Sequence, residues 1–191
     1  NITIQCSAST LPANTGMPTA VDPDGPTPTI SYSNVSVNIA CPFTKMITRT
    51  WSANDGCNPS VTCVQTIKLI DTTPPVITCP ANVTVLCGSN TLPAVTGTAT
   101  GTDLCDPTVA ISYNDVTQAG PCPAEYIIHR TWTAMDDCGN ASTCLQNIFL
   151  DDNTPPVLTC DPVNIPCTAD PSPANTGYPT VVNNCGGTST F

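Results

Sequence analysis

Where apolar and polar positions alternate along this chain, they do so with a period of two. Ile128, Arg130, Trp132 and Ala134 share one face of an extended segment, and Cys144, Ile148 and Leu150 share one face of the next. Between them, Asp136-Asp137-Cys138-Gly139-Asn140 is turn chemistry, since Asp and Asn bond their own backbone and Gly supplies a positive φ. The two segments therefore read as a β-hairpin. Thr154-Pro155-Pro156 ends the second strand, because proline cannot donate to a ladder and stiffens the chain towards polyproline II. Shorter alternating strands run through Asn1–Cys6, Thr29–Tyr32, Asn82–Cys87 and Ala110–Tyr113, and Val21–Pro26 is a loop by composition. No stretch has a helical period.

The hairpin occurs twice. Residues 49–76 match residues 130–157 at an offset of 81 without a gap, so that Trp51 maps on Trp132, Cys57 on Cys138 and Cys63 on Cys144. Leu11–Gly16 (LPANTG) matches Leu92–Gly97 (LPAVTG), and Ser172–Gly177 (SPANTG) is a third copy at an offset of 80. Cys41-Pro42 matches Cys122-Pro123. A period of this length is one small domain. The expected organisation is repeat one over 1–75 without its opening strand, repeat two over 76–156, and the first part of a third over 157–191. Six or seven short strands per copy, separated by Pro, Gly, Asn and Asp, predict an all-β fold of tandem immunoglobulin-like sandwiches. Stiff Thr-Pro-Pro linkers would hold them in an extended array.

A unit of this size buries a thin core and commonly needs covalent staples. Thirteen cysteines recurring at fixed positions, in a chain with one histidine, read as disulfides of an oxidising, extracytoplasmic compartment. The spacing Cys57/Cys63 and Cys138/Cys144 is wider than the usual zinc pattern. Charged residues are 9% of the chain, against roughly 25% in an average soluble domain. The net charge of −10, with Lys45, Arg49, Lys68 and Arg130 the only cations, argues against nucleic acid or anionic membranes as partners. No apolar run approaches the ~18 residues a bilayer requires. No export signal lies within the sequence, which places one outside it or removed.

Thr73–Val85 (TPPVITCPANVTV), followed about fifty residues later by RTWTAMDDCGNASTC, resembles the hyalin-repeat family. It is most similar to the cysteine-rich copies found in tandem in large bacterial surface proteins. The resemblance covers essentially the whole chain. It implies an immunoglobulin-like fold and a role in adhesion or cell-surface structure, with no catalytic residues to transfer. Copy one departs from the pattern, with Asp24 where copy two has Cys105 and Asn58-Pro59 in place of Gly139-Asn140.

Six cysteines per copy allow fifteen connectivities. In sandwiches of this kind the first and last strands lie side by side, which favours Cys79–Cys144; Cys87–Cys122 and Cys105–Cys138 complete the expected set. By analogy Cys6 pairs with Cys41, which leaves Cys57 and Cys63 without partners, or bridged to each other.

Among candidate sites, catalysis finds little support. His129 occurs in one copy only, Glu125 is the only glutamate, and no nucleophile elbow is present. Calcium has a stronger case, because Asp136, Asp137, Asp151 and Asp152 flank the last hairpin and linker, and Asp103 and Asp106 lie near Cys105. The competing reading is the ordinary preference of Asp for turns, and copy one keeps only Asp55 and Asp71 from the first two pairs. Arg49 and Arg130, each two residues from a Trp on the same face, predict guanidinium stacking at the rim of the core. Sequons stand at Asn1, Asn34, Asn82 and Asn140, and Thr72 is the favoured O-glycosylation position.

The expected function is structural: an extracellular or cell-surface fibre, filament or stalk built from copies of itself head to tail. The alternative is an adhesin whose loops recognise glycan or protein on another surface. Residues 157–160 also match the strand that copy one lacks, so exchange of that strand between chains is an expected alternative to one continuous array.

Overall fold

The computed structural model describes residues 1–120, 125–183 and 185. The fold is all-β and stapled by disulfides, with its strands in two four-stranded sheets and two two-stranded pairs among the described residues. Copy one supplies β1 (Ile2–Gln5), β2 (Thr29–Asn38), β3 (Lys45–Asn54) and β4 (Val61–Ile70), in the sheet order β1-β4-β3-β2. Copy two supplies β5 (Val76–Thr78), β6 (Val83–Leu86), β7 (Thr100–Thr102), β8 (Ala110–Ala119), β9 (Tyr126–Met135) and β10 (Ala141–Asp151). Its sheet runs β6-β10-β9-β8, with β5 and β7 forming a separate antiparallel pair. β11 (Val157–Thr159) and β12 (Thr180–Val182) make the same antiparallel pair from the third copy.

The register follows from side-chain alternation. β1 runs parallel to β4 with Ile2 opposite Ile67 and Ile4 opposite Leu69, so both apolar sets face the same way. They close over Ile47 to form the first core, where Ile67 is fully buried. β6 and β10 repeat this with Val83 opposite Ile148 and Val85 opposite Leu150, packed with Ile128 and Tyr126. On β9, Ile128, Arg130, Trp132 and Ala134 are all buried, as the period-two pattern requires.

One local element departs from the sequence reading. The LPAxTG segments are single helical turns, α1 (Pro12–Thr15), α2 (Pro93–Thr96) and α3 (Pro173–Thr176). One turn is too short to show a period, which is why the pattern hides it. Proline opens each turn with its fixed φ, and the following glycine closes it at φ of 84–96°, donating its N–H to the proline carbonyl. Thr15 and Thr96 also donate from Oγ1 to the Leu11 and Leu92 carbonyls.

The chain forms two compact units. The first comprises Asn1–Thr78, Thr100–Ser112 and Thr133–Thr143, and the second Cys79–Ala99, Tyr113–Trp132 and Cys144–Phe191. Copy two therefore contributes residues to both.

Candidate functional site: arginine clusters, staples and an open groove

The most deeply buried charged groups among the described residues are Arg49 and Arg130, each 1% exposed, so they lie inside the core and not at its rim as expected. Arg130 sits with its guanidinium carbon 4.4 Å from the Tyr113 ring centre and 5.7 Å from that of Trp132. Its Nε donates to Asp115 Oδ1 and its Nη2 to Asp115 Oδ2, both at 2.8 Å. Nη1 donates to Thr96 Oγ1 at 2.9 Å, and Nη2 also reaches the Thr91 carbonyl. The hydrogen bond and charge of Asp115 raise the Arg130 pKa. Trp132 Nε1 donates to Gln146 Oε1, while Gln146 Nε2 donates to the Thr96 and Ala81 carbonyls. Every lone polar group in this core thereby has a partner, the condition under which a buried charge is tolerated.

Copy one repeats the cluster with one substitution. Arg49 bonds Thr15 Oγ1 and the Thr10 carbonyl and stacks on Tyr32 and Trp51, but its Nε acceptor is Asn34 Oδ1 at 3.0 Å. Asn34 occupies the place of Asp115. The Asp115/Asn34, Gln146/Gln65 and Thr96/Thr15 positions were missed in the sequence, although Gln and Thr recur there at the same offset of 81 as the cysteines.

The staples depart most from expectation. Cys79 is joined to Cys144 within copy two. Cys6, expected with Cys41, is joined to Cys105; Cys41 is joined to Cys138, so the expected Cys105–Cys138 pair is absent. Cys87, expected with Cys122, is joined to Cys185. Cys122 lies outside the described residues. Cys6–Cys105 and Cys87–Cys185 occupy equivalent positions and have Cα–Cα distances of 5.8 and 5.4 Å. Except for Cys79–Cys144, every observed bond joins a residue of one copy to a residue of the next. Among the described residues Cys57, Cys63, Cys160 and Cys167 are unpaired and exposed.

Beside these staples lies an acid. The Asp71 carboxylate is within 4.8 Å of the Cys6 and Cys105 sulfurs, and Asp152 stands likewise beside Cys87 and Cys185. The sulfurs are bonded to each other, so these are not thiolate metal sites. Asp71 is buried and its Oδ2 has no hydrogen-bond partner. Desolvation first, then the charges of Asp103, Asp136 and Asp106, push its pKa up.

The four calcium candidates are not gathered in one unit: Asp136 and Asp137 belong to the first, Asp151 and Asp152 to the second. Asp136 is occupied as a turn cap, with Oδ1 accepting from the Cys138 and Asn140 N–H groups and Oδ2 from Asn140 Nδ2. Asp103 Oδ1 accepts from the Cys105 and Asp106 N–H groups, and Asp106 Oδ2 from that of Asp137. Both therefore hold backbone.

Asn1, Asn34 and Asn82 are exposed, whereas Asn140 Nδ2, the atom a glycan would take, donates to Asp136 Oδ2 and the Asp71 carbonyl. Thr72 is exposed, with Oγ1 accepting from Gln5 Nε2 at 2.6 Å. His129 lies between Asn147 Oδ1 and Gln118 Oε1.

One cavity stands out in copy one, a groove of about 480 Å³ lined by Val21, Ile30, Trp51, Ala53, Val61 and Cys63 among others. Val61 is 70% and Val21 84% exposed.

No protein-family model and no curated protein sequence matches this chain. A solved structure described as PcdhgB3 EC1-4 in 50 mM HEPES aligns with a TM-score of 0.32 and 13% identity. The alignment covers 70% of this chain and 43% of that one, so this chain spans less than half of that structure's length.

Proposed function

We propose that this is a structural extracellular protein, a fibre, filament or stalk of head-to-tail immunoglobulin-like repeats that resists extension. The four disulfides among the described residues and an all-β fold fit an oxidising, extracytoplasmic compartment. No helix among the described residues is long and apolar enough to cross a membrane. The observation that carries the reading is the copy-to-copy staple. From Cys6 a covalent path crosses to Cys105, runs back 18 residues to Cys87, and crosses to Cys185. Tension applied along the chain follows that short path. The 179 residues separating Cys6 and Cys185 along the backbone could otherwise extend to about 600 Å, and the stapled path, with its two disulfide crossings, to about 70 Å. A binding domain that works by its loops has no need of such a restraint; a strand under load does.

Single-molecule stretching between handles at Cys6 and Cys185, placed on the neighbouring residues, tests this. Oxidised protein is expected to yield about 70 Å of contour between the handles, and protein in strong reductant about 600 Å. Several hundred ångströms of extension in the oxidised state would refute the proposal.

A further inference from the structure

A buried carboxylate is costly unless a cation or hydrogen bonds compensate it, and the first unit gathers three of them. Asp71 is 7%, Asp106 2% and Asp136 5% exposed, and the half-buried Asp103 joins them. They come from three places in the fold: the end of β4, the loop after β7 and the turn after β9. Short bonds tie these places together. Asp103 Oδ1 accepts from the Cys105 and Asp106 N–H groups, and Asp106 Oδ2 accepts from the Asp137 N–H at 2.7 Å. Asn140 Nδ2 donates both to Asp136 Oδ2 and to the Asp71 carbonyl. The Asp71 carboxylate lies within 4.8 Å of the Cys105 sulfur, next to Asp106 in the chain.

No counter-charge accompanies these acids. Among the described residues the one ion pair is that of Arg130 with Asp115, and Arg49 bonds Asn34, Thr15 and Thr10. Nor do the existing hydrogen bonds use up the oxygens, since an ionised carboxylate has about four lone-pair sites. Asp103 bonds through Oδ1 alone, and Oδ2 of Asp106 and of Asp136 each accepts from a single donor. Asp71 Oδ1 accepts from the Thr73 N–H, while its buried Oδ2 has no partner. The repulsion is felt at that group: after desolvation, the charges of Asp103, Asp136 and Asp106 push its pKa up.

We propose that Asp71, Asp103, Asp106 and Asp136 bind one calcium ion beside the Cys6–Cys105 staple. The donors are all oxygen, because the two sulfurs are bonded to each other and His129 belongs to the other unit, which suits a hard cation and not zinc. Among the described residues the acid oxygens are not already gathered within 4.8 Å of one another, so the ion draws the half-buried Asp103 towards the three buried acids and water completes the shell. Calcium accepts six to eight oxygens in an adaptable geometry, whereas magnesium demands a near-ideal octahedron. The calcium set expected from the sequence is divided between the units; these four acids lie in one. Asp71 stands just before Thr72-Thr73-Pro74-Pro75 and the other three belong to copy two, so the ion ties the linker to the copy that follows it. The site stands independently of the fibre reading.

The test uses the oxidised 191-residue chain, freed of divalent cations by a chelator and titrated with calcium chloride in a calorimeter. One ion per chain is expected, with a Kd below about 1 mM and with magnesium bound roughly tenfold more weakly or worse. Asp71→Asn is expected to weaken calcium binding by roughly tenfold or more, since affinity follows the charge count of the ligands. Asp152→Asn, at the equivalent position in the second unit, is expected to leave it unchanged. Thermal midpoints add a reading that a merely structural role for Asp71 would not give. In chelator, Asp71→Asn is expected to melt above the unsubstituted chain, because it removes buried repulsion. In millimolar calcium the order reverses, because the unsubstituted chain gains the binding energy and the variant largely does not. The proposal is overturned if calcium up to about 10 mM gives neither heat nor a shift in midpoint. It is equally overturned if Asp71→Asn binds calcium as tightly, if Asp152→Asn abolishes the binding, or if magnesium binds as well.

Discussion

Asp115→Asn is the perturbation for which the molecule carries its own control. In copy two the carboxylate binds Arg130 through two oxygens at 2.8 Å each, whereas in copy one Asn34 offers Arg49 a single acceptor at 3.0 Å. The variant can keep the Nε bond, as Asn34 does, but loses the second bond and the charge. A hydrogen bond to a charged group contributes about 1.5–3 kcal/mol. Arg130 is 1% exposed, so its charge is poorly screened; Asp115 is 31% exposed, so the full Coulomb energy of a dry pair is not available. The remaining bonds to Thr91 and Thr96 and the stacking on Tyr113 hold the guanidinium in place. The expected loss is therefore about 1.5–3 kcal/mol, or a fall in thermal midpoint of roughly 3–12 °C at 2–4 °C per kcal/mol for a chain of this size. Denaturant unfolding with disulfides intact measures it, and amide exchange along 126–135 locates it. Asn34→Asp is expected to act in the opposite sense around Arg49. A loss below about 0.5 kcal/mol in Asp115→Asn would show that the carboxylate contributes nothing beyond an amide, and would refute the reasoning.

Other outcomes follow from single groups. The Asp71 pKa is raised in the fold, so the native state binds its proton more tightly than the unfolded chain; stability from this group is present below the ordinary aspartate value and lost as pH rises through the folded value. Asp71→Asn is accordingly expected to raise the thermal midpoint at neutral pH, with the gain disappearing at acid pH; an equal gain at every pH would count against it. A Cβ at Gly101 would lie 2.8 Å from Val109 Cγ1 and 3.3 Å from Ala134 Cβ, so Gly101→Ala is expected to cost about 1–3 kcal/mol by overpacking, measurable by denaturant unfolding. Reduction is expected to abolish heat and protease resistance, because cores as thin as Ile47, Ile67 and Leu69 lean on staples; limited proteolysis with and without reductant shows it.

The β-architecture was legible because its signal is local. Alternation placed Arg130, Trp132 and Ala134 on one buried face, and the repeat doubled every observation. What alternation could not show was depth. An arginine beside a tryptophan reads as a rim residue until its partners are known, and those partners, Asp115, Thr96 and Thr91, lie between 15 and 39 residues away in sequence. The helical turns escaped for the opposite reason: they are too local, one turn of four residues, to leave any period.

The cysteines escaped because pairing within a copy was assumed, and chain entropy gives no ground for that assumption. Closing Cys6 with Cys105 instead of Cys41 lengthens the loop almost threefold, which changes the closure cost by only about 0.9 kcal/mol. Loop length therefore cannot decide between pairing within a copy and pairing across copies; only the native positions of the sulfurs can.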